Sequence, residues 1–421
     1  MRSVVIGGGL AGLAAALRLV DEGHEVTVLE ARPTLGGAVQ TLPERDGDPS
    51  PPPDNGQHIG LGCFTAWQEF LRLAGSAGSL DRRSLELTVL DEEGRAAVIS
   101  DRPLDLLRYR HLPLRDRLGI VRTLARLRRL DAAAHDGETF AAVLGTRDRV
   151  IERFWDVFIR PALNLRSAEA SAALGLFTVQ TALLGEKGAG DLLLPTAPLG
   201  EMHGDAAGRT LLARGAEVRL GARVVALEPG AALLADGERV EAESFVVALP
   251  PAESARLLHE DDPGLGSSPI VSVHLLYDRA LLPYPLAALL SSPAHWVFDR
   301  GALTGHRPER GQYLTVVSSG VPELLEVRGR ELVELISGEL TSRLGPAEVL
   351  WSRVSREPEA TVAGRPGQAA RRRGAGTGRA NVVRAGAWTD TGWPATMESA
   401  ARSGFAAAQM LMSARTEQVA A

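Results

Sequence analysis

The residues best suited to chemistry stand close to the start of the chain. Gly7-Gly8-Gly9-Leu10-Ala11-Gly12 fits the spacing G-x-G-x-x-G, and Glu30 follows 18 residues after Gly12. That spacing suits a dinucleotide. Gly7 turns the chain, Gly9 lets backbone approach a diphosphate, and Gly12 lets the next helix pack close to a sheet. The first turn of that helix, from Leu10 and Ala11, offers N–H groups and partial positive charge to phosphate. Glu30 suits the ribose hydroxyls and would repel a 2′-phosphate. In a chain with 45 glycines the pattern needs its setting, which is a strand before it and a helix after it. A second group is Asp54-Asn55-Gly56-Gln57-His58, an imidazole among amides; its ordinary pKa of ~6.5 suits proton transfer near neutrality. A third runs from Gly386-Ala387-Trp388 to Met397-Glu398, a glycine turn that leads into a helix whose N–H groups would point at a ligand.

These groups need elements to hold them. Residues 3–6 read as a strand, Leu10 to Asp21 as a helix and 25–29 as a second strand, a unit of ~30 residues. Residues 42–55, rich in Pro, Gly and Asp, read as a loop. Phe64 to Leu73 is helical, and 103–185 is expected to be mostly helical, including 168–185. Leu114, Leu118, Val121, Leu124 and Leu127 form an apolar face there, and arginines crowd the rest. Strands are expected at 217–220, 223–227, 244–249, 270–276, 312–318 and 381–385, and helices at 331–343 and 396–412. Residues 357–380 show no clear structure. The expected fold is α/β: a discontinuous Rossmann-like nucleotide-binding domain from 1–62, 205–262 and 379–421. A second domain of mixed sheet and helices would take 63–204 and 263–378.

Composition narrows the classes. With 421 residues, 45% apolar and 23% charged, the chain is an ordinary globular protein. A net charge of −6 argues against nucleic acid as a partner. Cys63 is the one cysteine, so no intrachain disulfide forms and a cytoplasmic, reducing setting is expected. Val4 to Ile6 is too short for a signal-peptide core. The longest uncharged run, 280–298, contains Pro283, Pro285 and Pro293 and is not a membrane helix. The histidines lack metal-ligand spacing, so no metal is expected.

Further motifs carry a resemblance. Ala31-Arg32-Pro33-Thr34-Leu35-Gly36-Gly37, Gly221-Ala222-Arg223-Val224, Val246-Val247-Ala248-Leu249-Pro250-Pro251 and the 385–400 segment resemble the flavoproteins that include amine oxidases and phytoene desaturases. The resemblance implies non-covalent FAD. Ala31, Arg32, Gly36 and Gly37 would follow the diphosphate, and the backbone of Val224 would meet adenine. Gly56, Gly386, Ala387 and Met397 would lie at the flavin. Narrower motifs, namely 54–58, 155–164, 192–195, 296–301 and 391–398, are similar to the hydroxysqualene dehydroxylase family of hopanoid biosynthesis, and that likeness spreads from residue 3 to about 412.

This narrower resemblance implies reductive removal of an allylic hydroxyl, with hydride from reduced flavin N5 quenching the resulting cation. His58 is then the candidate acid, Asn55 and Gln57 candidates to orient either it or the substrate hydroxyl, and Asn164 and Trp393 candidates for contact with the substrate. The substrate would be a lipophilic C30 isoprenoid, and the electron donor is either NAD(P)H or a redox protein. The Leu/Arg helix at 114–130 would either rest on an anionic membrane, at the inner face of the cell membrane, or present a solvated arginine face. Three alternatives stand: a phytoene-type desaturase, a redox-inactive flavin isomerase, or a lipid carrier. Amine oxidation is disfavoured, because Lys187 is the sole lysine and lies in a Gly-rich stretch. Two departures from the wider group are Ala38, where a basic residue is common, and Ala387, where an Asp is common. Arg32 and Asp390 are the expected substitutes.

Overall fold

The structure, a computed structural model, describes residues 1–420, with the side chains of all but Pro103 and residues 414–420. The helices that matter here are α1 (Leu10–Asp21), α2 (Thr65–Ala74), α3 (Pro103–Arg108), α4 (Leu114–Leu127), α5 (Asp156–Leu163) and α6 (Met397–Ala420). The strands are β1 (Arg2–Ile6), β2 (Glu25–Glu30), β3 (Ser267–Tyr277), β4 (Gln312–Ser319) and β5 (Val349–Val362).

Val4, Val5 and Ile6 are apolar on both faces of their strand, which demands cover on both sides. Accordingly β1 sits at the centre of a five-stranded sheet in the order Val382–Arg384, Ser244–Val247, β1, β2, Glu217–Leu220. All four pairings are parallel. The sheet is thus assembled from pieces scattered along the chain, as the sequence leads one to expect. α1 packs against it beneath α6, and small residues let the two helices touch: a Cβ on Gly404 would lie 2.2 Å from the Ala11 carbonyl oxygen.

The second sheet has seven strands, ordered β5, β3, β4, Trp296–Asp299, Leu286–Leu289, Glu86–Leu90, Ala96–Ser100. It is antiparallel except where Leu286–Leu289 meets Glu86–Leu90. Strand side chains alternate between faces. On one face Val271, Val273, Leu275, Leu314 and Val316 pack with Leu332, Ile336 and Leu340 of the helix Gly329–Leu344. The opposite face carries Ser272, His274, Tyr313 and Thr315, all buried.

Three expectations are corrected. Residues 357–380 are not shapeless, because β5 continues through Val362 on the ladder with β3. The 103–185 region is mostly helical, as expected, in a series of short helices, but its 168–185 helix begins only at Ala172. The apolar face expected of α4 is turned largely outward: Ile120 and Leu127 are buried, whereas Leu114, Leu118 and Val121 are exposed. The inward side carries Asp116 as well as Ile120 and Leu127: Asp116 is buried and paired with Arg149 at 2.5 Å and Arg147 at 3.5 Å.

Candidate active site

The glycine turn joins β1 to α1. Gly7 has φ +106°, and a Cβ there would sit 2.3 Å from the Ala248 carbonyl oxygen. A Cβ on Gly12 would lie 2.0 Å from the Gly7 carbonyl oxygen. Gly36 has φ +109°, donates to the Gly8 carbonyl and would clash with Val39. Gly37 approaches so closely that its Cβ would meet the Gly9 Cα at 2.9 Å. Gly9 differs from these, since a Cβ there would find only the Gly37 Cα, at 3.8 Å. No protein packing demands glycine at that point, and the space above it is open. Gly9 also precedes Leu10 and Ala11 at the start of α1 without any side-chain cap, so the helix end is not closed off by a side chain.

Glu30 closes the other side. Its Oε2 accepts from the Gly8 N–H and its Oε1 from the Arg32 N–H, both at 2.7 Å. A carboxylate has about four acceptor positions, so capacity is left for ribose hydroxyls. The Ala222 N–H donates to the Glu30 carbonyl at 2.8 Å, which brings buried Val224 beside the acid. Ala31 and Arg32 are exposed just beyond it.

Loop 48–58 lies over the polar face of the second sheet. Asp54 is its hub. One carboxylate oxygen accepts from Thr41 Oγ1 at 2.7 Å and the Leu199 N–H at 2.9 Å. The other pairs with Arg300 at 2.7 Å, both side chains being 2% exposed. Asp48 and Arg353 form a second buried pair at 2.5 Å. Asn55 donates to the Ala38 carbonyl and leaves its Oδ1 unpartnered. Ser272 Oγ, His274 Nε2, Tyr313 Oη and Arg300 Nε are likewise buried without a geometric hydrogen bond. Ser272 lies directly under the loop, 3.0 Å from where a Gly56 Cβ would stand.

Gln57 and His58 are half-buried and loosely held. Gln57 reaches Arg300 at 3.5 Å and the His58 carbonyl at 3.4 Å. His58 Nδ1–H donates to the Gly56 carbonyl at 3.3 Å, an assignment that leaves Nε2 as the free end in the neutral ring. Burial pulls the His58 pKa below the ordinary histidine value, opposed by the Gly56 bond and the Asp54 charge. The expectation of an ordinary pKa is therefore corrected: the imidazolium is a stronger acid than assumed, and a scarcer one at pH 7.

At the C-terminal end Gly386 is required because a Cβ would meet the Trp388 indole at 2.5 Å. Thr396 caps α6 by accepting from the Ser399 N–H at 3.4 Å, and Met397 opens the helix. Glu398, fully buried, accepts from the N–H groups of Ala66 and Trp67 and so caps α2. Sequence reasoning passed over Arg372, inside the stretch read as shapeless. Its guanidinium donates to the carbonyls of Ala387, Trp388, Thr389 and Trp393 at 2.6–3.1 Å, which fixes the loop before α6. Burial lowers its pKa. Nothing in the run Arg371-Arg372-Arg373 distinguishes the middle member; only the fold does. Asp390, one expected substitute for the acid missing at Ala387, is exposed and faces the Gly392 N–H.

Of the substrate candidates, Trp393 stands edge-on to Phe64 and Phe177, with Arg402 over its ring at 4.8 Å. Asn164 ends α5 with φ 51°, and its amide is spent on Thr361 Oγ1 at 2.9 Å. That geometry carries the helix-end role. Nearby, Leu163, Leu174, Val362, Arg372, Pro394 and Ala395 line a small cleft. Lys187 lies in an exposed turn.

The opening over Gly9, the uncapped start of α1 and the acid at the end of β2 suit FAD. The chain belongs to the flavin-containing amine oxidoreductases, whose family profile matches residues 10–412, and is an FAD-dependent oxidoreductase. Within that class it groups with the hydroxysqualene dehydroxylases. It is 31% identical to the hydroxysqualene dehydroxylase of Rhodopseudomonas palustris, over 97% of this chain and 98% of that one. It is 27% identical to that of Sinorhizobium fredii, with the same coverage. An oxidoreductase from Methanosarcina mazei shares the fold, with a TM-score of 0.75 at 19% identity over 96% of this chain and 99% of that one.

Proposed function

We propose that this chain reductively removes the hydroxyl of hydroxysqualene to give squalene. The reading rests on its near full-length likeness to hydroxysqualene dehydroxylases. Gly7, Gly9, Gly12, Glu30, Gly36, Gly37, Val224, Gly386 and Met397 would hold FAD without a covalent link, and reduced FAD, when bound, supplies a hydride. The remaining chemistry belongs to side chains. The C–O bond breaks, and the hydroxyl leaves as water once it has received one proton. His58 is the proposed donor, through Nε2, with Gln57 and Asn55 orienting the hydroxyl. Ile59 and Leu61, next along the chain, join the apolar cluster that contains Trp155, Leu163, Trp296 and Phe298, which suits a polyene. Such a substrate resides in bilayers, so peripheral contact with a membrane belongs to the same reading. The electron donor, whether NAD(P)H or a redox protein, is outside it.

The test is anaerobic incubation of FAD-loaded, chemically reduced protein with hydroxysqualene, followed by product analysis. Squalene is expected, with one flavin reoxidised per product. Unchanged substrate, or desaturation of phytoene in its place, overturns the reading. The purified protein should show a flavin visible spectrum, with the flavin released on denaturation.

A further inference from the structure

Half of the exposed large apolar side chains among the described residues fall in one stretch of 18: Leu104, Leu107, Leu114, Leu118 and Val121. Leu104 is 64% exposed and Leu114 56%. Single exposed leucines are normal, whereas a cluster marks a contact surface. The spacing is helical. Leu104 and Leu107 are three apart on α3, and Leu114, Leu118 and Val121 form one stripe along α4. Arg117 donates to the carbonyls of Leu107 and Leu112, tying the two helices together.

Charge surrounds this stripe. Residues 101–130 hold nine arginines against three aspartates, a net +6 in a chain whose total is −6. Eight of those arginines, at 102, 108, 110, 115, 122, 126, 128 and 129, are exposed. Of the acids, Asp116 turns inward to Arg147 and Arg149, and Asp105 is bound by Ser100 and Arg102. Exposed Asp101, together with Glu86, which pairs with Arg102 at 3.2 Å, opposes the field.

We propose that α3 and α4 form a docking surface for an anionic lipid bilayer. The leucines and Val121 enter the boundary between headgroups and acyl chains, and the arginines meet lipid phosphates. Apolar residues beside a net +6 fit that boundary better than an aqueous partner, because bilayer depth and headgroup charge satisfy both at once. At 14 residues α4 is too short to span, and among the described residues no helix is long and apolar enough to cross a membrane. The surface also has somewhere to lead. The apolar cluster that takes Ile120 and Leu127 from beneath α4 runs on to Ile59 and Leu61, just past His58. A polyene could pass from bilayer to site without crossing water. This use rests on the proposed lipophilic substrate; the docking itself does not.

The experiment is flotation of the FAD-loaded protein with vesicles, without substrate. Phosphatidylcholine vesicles carrying about a third phosphatidylglycerol are compared with pure phosphatidylcholine. Binding to the anionic vesicles at low salt, lost in pure phosphatidylcholine and weakened at high salt, is expected. Leu114→Gln/Leu118→Gln/Val121→Gln should abolish flotation, and each of Arg115→Gln and Arg122→Gln should lower partitioning about fivefold. These side chains are exposed, so circular dichroism and turnover on detergent-dispersed substrate should be unchanged. Failure of the wild type to float, flotation of the triple variant like the wild type, or self-association through this face overturns the proposal. Loss of turnover with intact flotation would instead count against the dehydroxylase reading alone.

Discussion

Two regions of this protein hold their functional groups by different means. In the nucleotide turn, four of the glycines are dictated by backbone atoms: a Cβ on Gly7, Gly12 or Gly36 would meet a carbonyl oxygen at 2.0–2.6 Å, and one on Gly37 the Gly9 Cα at 2.9 Å. Residues within 40 positions of one another do nearly all of this. The polar face under loop 48–58 is made from remote pieces, Asp54 meeting Thr41, Leu199 and Arg300. The first region is rigid through sterics and leaves one opening, at Gly9. The second is rigid through buried ion pairs and leaves several polar atoms unpartnered. Steric design tolerates no added atom, whereas ionic design tolerates no lost partner.

The sharpest break of this contrast is Gly12→Ala. Its methyl would sit 2.0 Å from backbone, which cannot retreat as a side-chain tip would. We expect a loss above ~5 kcal/mol, seen as insoluble or unfolded protein. A folded, flavin-loaded Gly12→Ala protein would show that the turn is softer than its geometry. Next in size is Arg300→Met. Removing one member of a buried pair strands the Asp54 charge, and ~3–5 kcal/mol should be lost in urea unfolding. Adding Asp54→Leu should cost less than the sum of the two single changes, because no charge is then stranded. Strict additivity would reduce the pair to two independent contacts.

The same contrast explains what could be read in advance. The turn, Glu30 and the α/β class were legible because their spacing is local; of the four constrained glycines only Gly7 has its nearest obstacle in a remote residue, Ala248. The strands Glu86–Leu90 and Ala96–Ser100 were not, since their place in the second sheet depends on pairing with Leu286–Leu289 far along the chain. Arg372 was invisible for the same reason: its four carbonyl partners lie 15–21 residues further on, in the loop before α6. His58 was legible as a position but not as an acid, because the burial that lowers its pKa is tertiary. α4 was legible as amphipathic, but its inward side was not, because the partners of Asp116, Ile120 and Leu127 on that side come from elsewhere in the chain.

A pH titration probes the remote region at smaller scale. His203 is neutral and satisfied, with Nδ1–H donating to Leu199 and Nε2 accepting from Trp67 Nε1. Burial, ahead of all other causes, lowers its pKa to about 4. His274 is lowered to about 3, by burial first and then by Arg300 and Arg353. A histidine whose pKa is depressed on folding stabilises the native state fully above its unfolded value of ~6.5. That stability declines as pH falls from there toward the folded pKa. Between pH 6.5 and 5, before most carboxylates titrate, each ring should remove ~1.5 kcal/mol. His203→Gln should flatten part of that slope in urea midpoints; an unchanged slope would place the pH sensitivity elsewhere.

The smallest expected change in stability belongs to Gly9→Ala, and it is the most informative. A methyl there meets only the Gly37 Cα, at 3.8 Å, and Gly9 has φ −76°, a backbone that alanine adopts without strain. The apoprotein should therefore melt within ~0.5 kcal/mol of wild type, the range of substitutions that break no contact. The methyl nevertheless occupies the space over which a diphosphate must approach the first turn of α1. FAD affinity should fall at least tenfold, read by flavin fluorescence on titrating the apoprotein. Set beside Gly12→Ala, this separates a glycine kept for the fold from a glycine kept for the ligand, two positions three residues apart. If Gly9→Ala binds FAD as tightly as wild type, the cradle lies somewhere other than above Gly9, and the asymmetry between the two glycines loses its meaning.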